Sequence, residues 1–595
     1  MPLIKQIIIS DLITAFWLTA IFIVVFLWLP IKSFAGNTNQ QDNNQIIGLW
    51  LRIIFVIILG VLSLSYLHLL NWLTLTLIYA ACLIFNYLES SNWQIKKCLQ
   101  LVQNQILELI DILDRGFLFT DLLKSLSNNY HRTQQQFSKY LANLVIRQGM
   151  FFVLVLTIVL GFALLLRWEY PLLEPRFSHS DRYAVLLKTR QILLGNYPET
   201  DSLPVFSALA AGVSLLSSID AMQAIRFLSP IIGMIMVLSV GYLMRVLTNA
   251  YSALVAMLAF GVYIFTWEVS LNTELPSWLT TVINSLNNSL VRQWTGDELE
   301  LGVIFFLLGL GYYFDANRQH RQTIGFKLNI IASIILVSIS APQLIILVAI
   351  AEGVAAPIAA IASLGNKRLI LSAITFTWLI FAVLAAINPE KIPWTQSFLL
   401  TLPVALSFLT GLLFLAVTKI VKLLTHKWAE TFCLALFLSL TINFLLPFSP
   451  KLTYVEYDMA ARKSLELRHQ FPPHTWTLVA PVEQLAEVYG AGGYQDLALF
   501  VEKYANQVSS PEFKFPIAEE DLFILVEKIP FVTFPNEPSI LPNTILNDAT
   551  YRYYRSSAGR ASLEYEALQM CEAYRQSHPK SEIYYEDREL RVYYF

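Results

Sequence analysis

The chain has 595 residues, with 41 Lys+Arg, 43 Asp+Glu and a formal net charge of -2. Hydrophobic residues make up 56 %, charged residues 14 %, and mean hydropathy is +0.54, against roughly 25 % charge in a soluble domain, whose core stops growing beyond about 250–300 residues. Lipid must therefore be part of the solvent. That excludes a secreted or cytosolic enzyme, a disordered chain, and a nucleic-acid binder, which needs a basic excess.

Lys5 precedes the first apolar stretch, 8–29, which is longer than the roughly 7–15-residue core of a signal peptide and reads as a retained span. Asp11 reads there as a solvated helix end. Stretches of roughly 20 mostly apolar residues lie near 8–30, 48–66, 68–87, 150–167, 221–246, 250–267, 300–315, 326–342, 344–363, 368–388, 397–419 and 428–447. That makes about twelve spans. The stretch 206–216 is too short to span and is rich in Ala, Ser and Gly. It reads as a helix lying at the interface or dipping into it. The basic clusters Arg318/Arg321/Lys327, Lys367/Arg368 and Lys419/Lys422/Lys427 then fall on one face, which the positive-inside bias makes cytoplasmic.

Four parts follow. Residues 1–90 form a three-span N-terminal segment. Residues 91–149 are polar, with Leu101, Ile106, Leu107, Ile110 and Leu113 at helical spacing, which predicts amphipathic helices on the cytoplasmic surface. Residues 150–447 form the membrane core, with outer loops 168–220 and 268–299. Residues 450–595 hold about 35 of the 84 charged residues and form a soluble domain on the non-cytoplasmic face. That domain reads as α/β: strands at 476–480 and 522–527, helices at 484–489, 494–504 and 561–575, and a closing hairpin 582–585/590–594. Its tyrosines, Tyr551, Tyr553, Tyr554, Tyr584, Tyr585, Tyr593 and Tyr594, suit either sugar faces or the packing of a small domain. The fold class is mainly α: a polytopic helical membrane protein with a C-terminal α/β domain. Cys82, Cys98, Cys433 and Cys571 are too scattered for a disulfide framework or a zinc site. No internal repeat is visible, which weighs against a transporter built from two related halves.

Chemistry concentrates in the first outer loop: Glu174, Arg176, His179, Asp181, Arg182, Lys188 and Arg190. A carboxylate there can take a proton from a hydroxyl, and Arg and Lys can hold a phosphate leaving group. The same composition also fits a solvated loop with local ion pairs. His179 fits a proton relay or a surface histidine. In the second outer loop, Glu268 and Glu274 stand at one end and Arg292 and Asp297 at the other. Asp297 also fits an acid placed by a helix dipole.

After the first loop come Leu203-Pro204-Val205-Phe206, the small-residue helix, then Asp220-Ala221-Met222-Gln223-Ala224-Ile225-Arg226. This order resembles the GT-C superfamily of membrane glycosyltransferases, the group of protein O-mannosyltransferases, the lipid A aminoarabinose transferase and oligosaccharyltransferases. Their pattern is a span, an outer loop with an acid, a proline-led helix and an Ala-x-Arg opening the next span. Asp181, Pro204 and Ala224/Arg226 match it, and the match covers about 150–320. The resemblance implies transfer of a sugar from a polyprenyl-phosphate carrier to a glycan, lipid or protein acceptor on the non-cytoplasmic face of the plasma or inner membrane. It implies Asp181 as the base and Asp297 as the second acid. Arg182, Lys188, Arg190 and Arg292 become phosphate-clamp candidates, with Glu174, His179, Arg226 and Glu268 in substrate binding. A divalent cation, Mg or Mn, fits the family. Glu174 and Asp181, seven apart, would share one only across a folded-back loop. The competing readings are a non-catalytic membrane scaffold and a lipid-linked-sugar flippase.

Overall fold

The structure, a computed structural model, describes residues 9–34, 43–90, 142, 145–177, 181–196, 203–265, 276–294, 296–315, 323–362, 366–388, 393–425, 428–444, 458–517, 521–529, 553–554 and 557–595. The amphipathic segment expected at 91–149 lies, apart from its last few residues, outside them.

The membrane part runs through α1 (Ile9–Ile23, continued by a π-helical turn, Val24–Trp28, into Leu29–Phe34), α2 (Asn43–Tyr66), α3 (Trp72–Ser90), α4 (Met150–Leu173), α5 (Asp181–Leu193), α6 (Val205–Ser217), α7 (Ala221–Leu247), α8 (Ala250–Gly261), α9 (Ser277–Gln293), α10 (Glu298–Asp315), α11 (Ile324–Ser340), α12 (Gln343–Ala362), α13 (Asn366–Ile387), α14 (Leu402–Thr425) and α15 (Ala429–Phe444). Seven described helices are long and apolar enough to cross a bilayer: Ile9–Ile31, Ile46–Tyr66, Trp72–Glu89, Met150–Leu173, Ala221–Leu247, Arg368–Ile387 and Leu402–Leu423. An eighth counts if α11 and the start of α12, bent by 117°, form one broken span. The bend falls at Ala341-Pro342, where proline removes a donor and pushes its predecessor out of the helical region. Of the other expected spans, 250–267 and 428–447 become shorter apolar helices, and 300–315 becomes α10, which carries Glu298, Glu300 and Asp315.

The small-residue helix α6 is packed inside the bundle. Eleven of its thirteen residues are buried, and it packs against α2, α5 and α7. Ala208, Ala210, Ala211 and Gly212 allow this close approach, as small residues do between membrane helices. Asp11 is likewise not a solvated helix end. Its Oδ2 lies 2.8 Å from Arg226 Nη2, both side chains largely buried, and Arg226 Nε donates to Pro171 O at 2.6 Å. One guanidinium thus ties α1 to α7 and α4. At the opposite end of the bundle Arg52 does the same for α2 and α3. It donates to Asn86 Oδ1 (2.8 Å), Glu89 Oε2 (2.6 Å), Asn329 Oδ1 (2.9 Å) and Gly325 O (3.3 Å). The first three helices are fastened to the core at both ends.

The C-terminal unit comprises α16 (Asp458–Gln470), β1 (Trp476–Ala480), α17 (Gln484–Val488), β2 (Gly493–Asp496), α18 (Leu497–Tyr504), β3 (Asp521–Glu527), α19 (Ser557–Ser577), β4 (Glu582–Glu586) and β5 (Leu590–Tyr594). The sheet order is β2-β1-β3-β5-β4. β1 is parallel to both neighbours, and β5 is antiparallel to β3 and β4. Both strands β1 and β3 are buried almost throughout, as parallel strands covered on two faces are. The stretch 494–504, expected as one helix, begins as β2. Asp496 stops the strand by accepting the Ala498 and Leu499 amides, an N-cap that starts α18.

Removing one partner of a buried pair leaves an uncompensated charge, at a cost of about 3–5 kcal/mol. Arg226→Met and Asp11→Leu are each expected to lower unfolding stability in mixed micelles by that order. The double variant should lose less than the sum, and a double-mutant cycle measures the coupling.

Candidate functional site

The bundle end that carries Asp11 and Arg226 also gathers the charged residues of both long connections. α9 ends at Gln293, where Trp294 Nε1 donates to Leu166 O at 2.7 Å and its ring stacks on Tyr170 at 4.9 Å. Gly296 then takes a φ of +67°, the left-handed region that glycine enters without strain. A Cβ there would lie 2.3 Å from Phe206 Cζ. The chain thus turns sharply against α6 and presents Asp297 at the start of α10.

Asp297 Oδ1 faces the Leu299 amide at 3.4 Å, while Oδ2 pairs with Arg292 and lies 3.5 Å from Arg182 Nη2. The carboxylate therefore serves the helix dipole and binds two guanidiniums at once. Arg182 belongs to α5, in the first long connection; Arg292 closes α9, in the second. Lys188 and Arg182 both act electrostatically on Glu298. So the fold brings Arg182, Lys188, Arg292 and Asp297 together. Glu174 pairs locally with Arg176 at 3.6 Å. Arg190 and Arg226 are committed elsewhere, Arg226 to Asp11 as above. α5 begins at Asp181, next to Arg182. The Asp181 side chain, His179, Glu268 and Glu274 lie outside the described residues.

Arg190 faces the C-terminal unit. Its Nη1 donates to Ala486 O at 2.8 Å and its Nη2 to Asp220 Oδ1 at 3.1 Å. Arg468 of α16 donates from Nε to Asp220 Oδ2 at 3.1 Å and from Nη1 to Tyr489 O at 2.9 Å. Asp220 also caps α7 through the Met222 amide. Burial raises its pKa, but the two guanidiniums and the amide outweigh that and hold the carboxyl below its usual range. Beside this clasp Gly490, at φ +78°, lets Leu194 sit where a Cβ would meet it at 2.4 Å.

In an open α/β sheet the ligand crevice forms at the strands' carboxyl ends where their order reverses, here between β1 and β3. Arg560 of α19 fills it. It donates to Glu527 Oε1 and Oε2 at 2.8 and 3.1 Å and to Glu483 Oε1 at 3.2 Å, with Glu564 Oε1 3.8 Å away. Beside this cluster, Tyr554 donates to Asp496 Oδ2 at 2.7 Å. Burial pushes Glu483 up to about 7 and Glu564 well above the usual carboxyl range. Of the tyrosine cluster, Tyr554 and Tyr593 are packed inside the unit; Tyr551 lies outside the described residues.

Among the described residues no group of three or more His, Cys, Asp or Glu is arranged to hold a metal ion. Asp297, the acid best placed for one, is turned to two guanidiniums. Sequence reading passed over Asp220 as part of a motif, and it did not mark Arg167, Ser289, Gln293 or Glu300. The polar triplet Ser289/Arg292/Gln293, at i, i+3 and i+4 on one helix face, was a usable signal. No protein-family model matches the chain, and no curated protein sequence matches it.

Two outcomes follow. Asp220→Ala is expected to strip hydrogen-exchange protection from α17 and the end of α5 while leaving β1 and β3 protected; equal loss in the sheet would mean global unfolding. A carboxyl with a raised folded-state pKa binds its proton more tightly when folded. Its stabilisation is complete below about 4.5 and is lost as pH rises through about 7 for Glu483. Pulse proteolysis of the full chain after urea equilibration should thus give a lower midpoint for the C-terminal unit at pH 8.5 than at pH 5.5, and Glu564→Gln should flatten the difference.

Proposed function

We propose that the protein is a membrane glycosyltransferase that moves a sugar from a polyprenyl-phosphate carrier to an acceptor hydroxyl at this end of the bundle. The observation that carries the reading is the meeting of Arg182 and Arg292 over Asp297. Two connections far apart in sequence supply a paired guanidinium surface, and such a fork suits a phosphate leaving group. The resemblance to the GT-C superfamily supplies the remaining roles. Asp181, one residue before Arg182, orients and deprotonates the acceptor. Asp297 holds the two guanidiniums in register until the phosphate arrives. The anomeric carbon then passes from phosphate oxygen to acceptor oxygen in a single displacement.

In the same reading the chain crosses the membrane about twelve times, and its basic loops face the cytoplasm. The C-terminal unit stands over the site on the other side and helps to choose the acceptor. The Asp220 clasp supports a fixed position for that unit. A scaffold role is the second reading. It is favoured by the commitment of Arg52, Arg190 and Arg226 to ties between helices.

The test is sugar transfer by purified protein in liposomes from a panel of polyprenyl-phosphate sugars. Asp181→Asn is expected to cut transfer by about 10²–10⁴-fold, the range for a lost general base. Arg182→Ala with Arg292→Ala should weaken donor use as well. Transfer unchanged by Asp181→Asn would move the base elsewhere. No transfer with any donor, beside a working control enzyme, would favour the scaffold.

A further inference from the structure

Behind the Arg292–Asp297 pair lies a narrow cavity lined by α9, the start of α10 and the start of α14. Its wall includes Ser289, Arg292, Gln293, Glu300 and Thr401. Its centre is about the size of one water molecule, which needs roughly 10–15 Å³. Ser289 is 5 % exposed, Gln293 2 % and Glu300 6 %. Ser289 Oγ, Gln293 Oε1 and Glu300 Oε2 are all buried with no hydrogen-bond partner among the described residues. Leaving three such atoms unsatisfied costs about 1–3 kcal/mol each. One water donating and accepting among them meets that requirement. The charged and titratable groups facing Glu300 are Arg292 from α9, Asp297 ahead of α10, Arg182 from α5, Arg167 from α4 and Tyr263 after α8.

Resting on the glycosyltransferase reading, we propose that Glu300 is the general acid of the reaction, passing its proton through a water held by Ser289 and Gln293 to the phosphate that leaves beside Arg292. The geometry separates two carboxyl roles. Asp297 is tied to two guanidiniums, which occupy its Oδ2 as acceptor. Glu300 is withdrawn from water, has no ion pair within hydrogen-bonding distance and is thus the carboxyl here that no guanidinium holds. Arg292 lines the cavity and also belongs to the clamp, so the water stands next to the phosphate position. The step balances. The acceptor O–H bond breaks and its proton goes to Asp181. The acceptor oxygen bonds to the anomeric carbon, and the carbon–oxygen bond to phosphate breaks. The phosphate keeps that electron pair and takes the Glu300 proton. Glu300 is reprotonated from solvent as Asp181 releases its own proton.

The test compares wild type with Glu300→Gln, which keeps the volume and loses the acid. With polyprenyl-phosphate sugars, kcat should fall by about 10²–10⁴-fold with little change in donor KM, and the alkaline limb of the pH profile should disappear. A donor carrying the same sugar on 2,4-dinitrophenolate, a leaving group far less basic than phosphate, should recover most of the rate. Ser289→Ala should fall between the two. An equal loss with both donors, or an unchanged alkaline limb in Glu300→Gln, would overturn the proposal. If wild type transfers no sugar, the glycosyltransferase reading fails and the acid role fails with it. The protonated site is then judged by infrared spectroscopy at pH 7. A carboxyl C=O band absent from Glu300→Gln and shifted in Ser289→Ala supports the site; the lack of such a band in wild type overturns it.

Discussion

Taking a charge out of water costs several kcal/mol unless a counter-charge or a set of hydrogen bonds goes with it. In a chain that is 56 % hydrophobic, every buried guanidinium must therefore find its partners across helices, and those partners fix which helices touch. Arg226 brings Asp11 of α1 and a carbonyl of α4 onto α7. Arg52 gathers α3 and the first turns of α11 onto α2. Arg167 donates from its two terminal nitrogens to neutral groups, the carbonyls of Ala163 and Gly261 and the Tyr263 hydroxyl, and so draws α8 onto α4. Apolar packing decides that these helices associate. The few charges decide in what arrangement, because an apolar surface has many acceptable neighbours and a buried arginine has few.

The same constraint joins the two parts of the molecule. Asp220 accepts from two arginines and one amide, so its carboxylate is nearly saturated. One arginine belongs to the membrane part and the other to the C-terminal unit. Each also donates to a carbonyl at the end of α17, where the helix has free acceptors and a partial negative charge. That is a docking joint between a helix end and an anion. It joins a unit of ordinary charge density to the apolar bundle. Within that unit Arg560 occupies the crevice that its topology would otherwise offer to a ligand, so the sheet is braced from inside by charge.

Much of the fold was legible in the sequence, because its signals are local. Runs of apolar residues became helices, and 476–480, 522–527 and the closing hairpin became strands, since period and turn chemistry act over a few residues. What was not legible depended on partners far away in the chain. Asp11 read as a solvated end because nothing nearby reveals that Arg226 will meet it. The helix 206–216 read as lying at the interface or dipping into it because its length forbids spanning; its burial against α2, α5 and α7 depends on those distant partners. Strand β2 was hidden because Tyr494-Gln495-Asp496 has no strand pattern of its own and is held by pairing with β1. At the site, residue types were legible but partnerships were not. The sequence offered four clamp cations, Arg182, Lys188, Arg190 and Arg292, with Arg226 placed in substrate binding, and only packing divides them.

That division separates arginines that tie buried carboxylates to main-chain carbonyls from arginines that meet on one partly exposed carboxylate. Arg190 and Arg226 each hold a buried carboxylate of another element and a main-chain carbonyl; to take a phosphate they would have to abandon a joint. Arg182 and Arg292 share a single carboxylate, Asp297, which is part exposed. Glu300 is the converse case: a carboxyl set deeper, facing uncharged Ser289 and Gln293 across a small cavity. A bundle that neutralises its charges at its joints thus sets Arg182 and Arg292 on Asp297, in front of the more deeply buried Glu300.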